Sequence, residues 1–249
     1  MKAMLFKFNK KKIVIDAFTS SRLAFESFKI KRSAEFIPDW YKRLKQPSII
    51  ELARDPGCIK TMKMCSGFSG LYSKGFIVPL WTDVFVCMSA YDGNPENSQI
   101  SLRFSDGIGR ADFHPPDQFE GFLTPYGQQQ VKIKTPWLLK TTSKVKFIMT
   151  GCPWNYPSGV PFTVLPGELE FRLNRVCNVN AHLPYRDAYQ EIMLGFGSPL
   201  AQVIPLSERD IEIRSHLISD AEFNDIRSEN ISGCSFAQGH RKALKRIDR

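Results

Sequence analysis

The chain has 249 residues, of which 43% are apolar and 24% charged. That composition suits one or two globular domains, or a single large β domain, and excludes a disordered chain, a collagen-like repeat and a coiled coil. No apolar run reaches the roughly 18 residues that a membrane-spanning helix needs. Charge is uneven along the chain. Met1–Lys74 holds 16 basic and 6 acidic residues, Gly75–Arg214 holds 12 and 14, and Ser215–Arg249 holds 6 and 5. Basic ends around a nearly neutral middle predict attraction to polyanions or to acidic protein surfaces.

In chain order, Met1–Lys12 lacks both the apolar core and the cleavage site of a secretory signal, which points to synthesis in a reducing cytoplasm. The six cysteines are irregularly spaced and form no C-x-x-C pair, so a zinc ribbon or a thioredoxin-like motif finds no support. Ile13–Val14–Ile15 predicts a short strand after a lysine run. Pro38–Leu44 predicts a short helix, with Pro38 and Asp39 suited to its first turn and Lys42 and Arg43 to its last. Trp40, Tyr41 and Leu44 give that helix an apolar side.

From Gly75 the pattern turns to β. Phe76–Met88 reads as one buried strand with a bend at Pro79 and Asp83. Gln99–Ser105 alternates apolar and polar residues as a half-buried strand does. Further strands are read at Val131–Ile133 towards Trp137, at Val145–Met149, at Leu169–Leu173, and at Leu200–Leu206, which closes the series. Ser105–Arg110 reads as a hairpin turn. About eight short strands with Gly and Pro punctuation predict a mainly β fold, an antiparallel β-sandwich or barrel. The expected organisation is a basic mixed N-terminal segment (1–74) packing on the core, a β core (75–214) and a helical basic C-terminal tail (215–249). In the tail, Ser219–Glu222 is a capping box leading to Phe223 and Ile226. Phe236, His240, Ala243, Leu244 and Ile247 then recur at helical spacing. Arg241, Lys242, Lys245, Arg246 and Arg249 occupy the other side, as a docking face would.

No G-x-S-x-G nucleophile elbow and no P-loop occurs. The most site-like segment is Asp112-Phe113-His114-Pro115-Pro116-Asp117-Gln118. On a strand, Asp112 and His114 face the same way, and with His182 or His216 they would form a two-histidine, one-carboxylate face. The paired prolines favour instead an extended loop held rigid for packing or partner contact. Trp137, Trp154 and Tyr156 read as packing residues. Basic residues and tryptophans lie in different zones, which weighs against a nucleic-acid module.

Four blocks, Phe36–Lys42, Ile59–Lys63 leading to Gly75–Val84, His114–Gln118 and Pro136–Thr141, stand in order before a closing Gly197–Leu206. In this the chain resembles a family of β-rich proteins encoded by tailed phages and some bacteria. The resemblance spans most of Phe36–Leu206. It implies a phage-encoded origin and a β-rich domain, and it assigns no functional residue. Pro166–Leu169 through Gly197–Ile204 also resembles, more faintly, the end of the deoxyuridine triphosphatase fold. The acidic motif of that fold is absent here, where Glu168 and Glu170 stand near the expected position, so the likeness concerns strand architecture.

Together these readings predict a non-catalytic structural or assembly component of a virion, with no cofactor or metal. It would bind other virion proteins and copies of itself through Arg241, Lys242, Lys245, Arg246, Arg249, Trp40 and Tyr41. Nucleic acid is the weaker partner, and no membrane partner is expected. The alternative is a phage-encoded metal- or nucleotide-binding enzyme using Asp112, His114 and Gln118.

Overall fold

The computed structural model describes residues 11–55, 57–89, 100–107, 109–115, 118, 120, 128–152, 155, 162–184, 188–228 and 245–246. Its strands are β1 (Ile13–Thr19), β2 (Lys31–Arg32), β3 (Phe76–Pro79), β4 (Val84–Met88), β5 (Ile100–Phe104), β6 (Arg110–Phe113) and β7 (Gln128–Lys140). They continue as β8 (Phe147–Thr150), β9 (Thr163–Val164), β10 (Gly167–Leu169), β11 (Val176–Pro184), β12 (Gln190–Leu194), β13 (Pro199–Pro205) and β14 (Ile211–Leu217). The helices are α1 (Arg22–Ser27), α2 (Asp39–Arg43), α3 (Ile49–Arg54), α4 (Ser66–Ser73) and α5 (Asp220–Ser228). The fold is mainly β and sandwich-like, built from several sheets whose strand pairings are antiparallel except for β1 with β14.

Long β7 organises a six-stranded sheet of order β14-β1-β7-β11-β9. Its first half pairs with β6 and its last residues with β1, while β11 runs along the other side. A second sheet has the order β10-β8-β13-β3-β2, and a three-stranded sheet the order β12-β4-β5. Period-two burial explains the layering. In β1, Ile13, Ile15, Ala17 and Thr19 are buried while Val14, Asp16 and Phe18 are half-buried. Trp137, Phe76, Phe147 and Phe171 fill the centre, with the Phe147 and Phe171 rings 5.0 Å apart.

Four sequence expectations are corrected. Phe76–Met88 is two strands in different sheets, because Leu80–Asp83 is held by other partners. The Leu80 N–H donates to Ser198 O at 2.8 Å, and Asp83 Oδ1 accepts from the Phe196 N–H at 2.8 Å. The turn at Ser105 is no hairpin, since it passes from β5 in the three-stranded sheet to β6 in the six-stranded one. Leu169–Leu173 stops being a strand at Leu169. The N–H groups of Leu173 and Asn174 fold back to Glu170 O at 3.0 and 2.9 Å, burying Phe171 and Leu173 from a turn. Finally, β13 does not close the series: β14 follows and pairs with β1 in parallel, from Ile13↔Ile211 to Thr19↔Leu217. The basic N-terminal segment thus does more than pack on the core, since β1 and β2 are strands of its sheets.

Two contacts fasten the segment before Gly75 to the core. Gln202 on β13 is buried, and its amide donates to Ser33 Oγ at 3.1 Å and to Leu71 O at 2.9 Å. Gly75 has φ +77°, and a Cβ there would lie 2.1 Å from Val203 O. Only glycine lets the backbones approach so closely at that dihedral.

Candidate functional site

Asp112 and His114 do share a face, as their spacing predicts, and the sheet register builds a polar lattice around them. Arg110 pairs with Lys134, which pairs with Asn178; Asp112 pairs with Lys132, which pairs with Asn180. The His114 N–H donates to Gln130 O at 3.1 Å, and Gln130 pairs with His182. Cross-strand partners point to the same side of a sheet, so three strands present arginine, lysine, aspartate, histidine and amide groups outward.

The Asp112 carboxylate is engaged by Lys134 Nζ at 2.7 Å. That hydrogen bond holds the carboxyl below the usual carboxylate range, and the charges of Lys134, Lys132 and His114 add to the effect. His114 Nδ1 lies 2.5 Å from Gln118 Oε1, and the Gln118 N–H closes a tight turn onto Pro115 O at 3.0 Å. Asp112, His114 and Gln118 are therefore local structure: an ion pair and a braced turn. His182 reaches the same face, with Gln130 between it and His114, and burial lowers its imidazole from the usual range. His216 is elsewhere, 2.9 Å from Asp16 and stacked on Phe18 at 4.8 Å. No group of three or more His, Cys, Asp or Glu side chains suited to a metal ion forms among the described residues. Asn178 and Asn180 carry Oδ1 atoms closed off from solvent and without a hydrogen bond.

Neither glutamate near the deoxyuridine triphosphatase-like position is placed to orient a water. Glu168 pairs with Lys146 at 2.7 Å on the surface. Glu170 is locked by Arg172, Nε to Oε1 and Nη2 to Oε2 both at 2.9 Å, with side-chain exposures of 1% and 9%. This bidentate, buried pair fixes the turn before β11.

Trp40 and Tyr41 build a second, smaller core. Tyr41 is only 7% exposed and stacks on Phe68 at 4.6 Å, while Trp40 meets both rings edge-on at 5.8 and 5.9 Å. Tyr72 completes the cluster, its hydroxyl donating to Asn155 Oδ1 while the Asn155 amide donates to Phe36 O at 2.7 Å. Burial raises the Tyr72 phenol above its ordinary range. Tyr41, read from the sequence as a partner residue, is committed to packing instead.

Beside this cluster lies a surface that the sequence reading missed. Ser48 and Glu51 form a reciprocal cap at 2.6 and 3.2 Å that starts α3, yet α3 buries no residue. Ile49 and Ile50 are 83% and 61% exposed, Ile59 is 79% exposed, and Met62 and Met64 are also exposed. The segment is tied at its base, Thr61 Oγ1 donating to Lys45 O at 2.6 Å and Lys63 Nζ to Lys42 O at 2.9 Å. Apolar side chains are thus held outward on a fastened loop, with Lys45, Arg54 and Lys60 exposed around them.

At the C-terminal end, α5 begins at the expected box, the Glu222 N–H donating to Ser219 Oγ at 3.3 Å and the Ser219 N–H to Glu222 Oε2 at 2.9 Å. Phe223 and Ile226 form its less exposed side. Arg175 reaches over to Ile226 O at 3.4 Å, which fastens the helix to the start of β11. Lys245 and Arg246 are helical and exposed; Arg241, Lys242 and Arg249 lie outside the described residues. Cys58, Cys65, Cys87, Cys152 and Cys177 are free thiols, and burial pushes Cys152 and Cys177 up to about 12. No described helix is long and apolar enough to cross a membrane.

The site and fold define a β-sandwich-like protein with outward-held apolar and polar surfaces. Compared with family models, curated proteins and solved structures, the chain matches none.

Proposed function

We propose that this chain is a non-catalytic structural or assembly component of a tailed-phage virion, acting through protein–protein interfaces. The observation that carries the reading is the fastened segment with five exposed large apolar side chains, Ile49, Ile50, Ile59, Met62 and Met64. Single exposed apolar residues are ordinary, but a cluster in one short segment marks a docking surface. Covering such side chains removes them from water, with about 25 cal/mol gained per Å² of apolar area. The surrounding Lys45, Arg54 and Lys60 suit a partner with an apolar centre and an acidic rim. A standard interface of about 1,200–2,000 Å² would extend well beyond the segment to neighbouring surface. The phage setting comes from the ordered motifs between Phe36 and Leu206.

The test is mass spectrometry of particles purified from the host in which this chain is encoded. The chain is expected at a fixed, stoichiometric copy number. Its absence from purified particles would refute the reading.

A further inference from the structure

One edge strand of the six-stranded sheet is β14, and its hydrogen-bonding pattern shows which backbone groups face outward. The Ile13 N–H donates to Asp210 O at 2.8 Å, and the Ile218 N–H donates to Thr19 O at 3.0 Å. In a parallel pair the residues of one strand alternate between bonding the neighbour and facing away. Between these two anchors, the even-numbered residues of β14 therefore bond β1. Ile211, Ile213, Ser215 and Leu217 direct their N–H and C=O groups away from it. None of those groups takes part in a backbone hydrogen bond among the described residues. Beside the first half of this edge is an open groove of about 310 Å³, lined by Ile30, Lys31, Arg32, Ile211 and Ile213 among others. α1 and β2 approach this edge, and the groove lies between β2 and β14; a seven-residue edge with no backbone partner among the described residues is a template for strand addition.

We infer that β14 pairs antiparallel with β14 of a second copy of this chain, about a two-fold axis through Ile213. The register follows from parity and charge. Only odd-numbered residues face out, so the axis passes through a residue and not between two. With the axis at Ile213, Ile213 faces its own copy and Ile211 faces Ser215, each an outward-directed pair able to exchange both ladder bonds. Glu212 of each copy then stands opposite Arg214 of the other. Within one copy these two side chains already pair at 2.8 Å, so the dimer joins them into four alternating charges around the axis. Moving the axis by one residue opposes Arg214 to Arg214 or Glu212 to Glu212, which like-charge repulsion disfavours. On the inner side, Ile211 is buried and Ile213 is packed against the core, so the two Ile213 side chains meet where each still has area to cover. The contact is isologous and closed: each copy uses its single β14 edge, so a dimer forms and not a fibre.

This contact deepens the assembly reading, on which its biological use rests, by naming one partner as a second copy. It is read in solution without particles, so it and the virion reading can fail separately. The experiment is sedimentation of the full chain over a concentration series at low salt. Wild type is expected to show a monomer–dimer equilibrium. Arg214→Glu opposes Glu212 to a second carboxylate across the axis and should weaken the dimer by about tenfold or more. The double variant Glu212→Arg/Arg214→Glu restores opposite charges and should recover it. Ser215→Pro removes an outward N–H that β1 does not use, so it should yield a folded monomer with an unchanged circular dichroism spectrum. Should that variant not fold, the charge-swap pair decides. A wild type monomeric at every concentration would overturn the inference, as would a dimer indifferent to Arg214→Glu, or a double variant no tighter than Arg214→Glu alone.

Discussion

Ile13–Ile15 and Ile49–Ile50 are both short isoleucine-rich runs in the basic first third of the chain, and they end in opposite environments. Ile13 and Ile15 are fully buried, since β1 lies between β14 and β7 and its alternate side chains meet a prepared interior. Ile49 and Ile50 start a six-residue helix that buries nothing. The two runs have comparable apolar character, so hydrophobicity alone does not separate them. What separates them is whether a neighbouring backbone edge takes up the segment's hydrogen bonds while a layer covers its side chains. The first run has both. The second satisfies its backbone locally, through the Ser48–Glu51 cap, and is left with side chains for something else to cover.

The contrast can be broken most strongly from the core side. Arg172→Ala leaves the Glu170 carboxylate buried without its bidentate partner. A loss of about 3–5 kcal/mol in urea unfolding is expected, as for other buried pairs cut on one side. Gly75→Ala is next. Its Cβ would lie 2.1 Å from Val203 O at a dihedral that L residues avoid, and about 1–3 kcal/mol should be lost, read as a lower Tm.

A smaller, pH-dependent effect belongs to the polar face. Burial lowers the His182 imidazole, so as pH falls below about 6.5 the unfolded chain takes up that proton before the folded one. Stability is therefore full above that range and falls as pH drops through it. His182→Gln should flatten the part of the Tm-against-pH curve due to this residue; an unchanged slope would contradict the assignment.

The parts of the fold legible in the sequence were those governed by local period or chemistry. β1 follows from three adjacent β-branched residues, β5 and β8 from alternation, α2 from its proline start and basic end, and α5 from its capping box. Choices made by distant partners were not legible. Phe76–Met88 carries no local sign that Leu80 will bond Ser198 and send β4 to another sheet. Nor does Ile211–Leu217 reveal that its neighbour is β1, almost two hundred residues earlier in the numbering. The same division holds at the candidate site. The shared face of Asp112 and His114 is a period-two statement and could be read directly. The engagement of Asp112 by Lys134 and the arrival of His182 depend on the registers of β6, β7 and β11. Exposure of Ile49 and Ile50 was hidden for the converse reason, since an apolar pair after a helix cap reads as core until the missing cover is seen.

The smallest expected effect on stability is also the most informative about function. Ile49→Ser/Ile50→Ser changes side chains that touch little of their own chain, so unfolding should shift by no more than about 0.5 kcal/mol per site. If docking through this surface holds the chain in a particle, the double variant supplied in place of the wild type should melt normally and yet be lost from virions quantified by mass spectrometry. A folded double variant incorporated at the wild-type copy number would contradict the account.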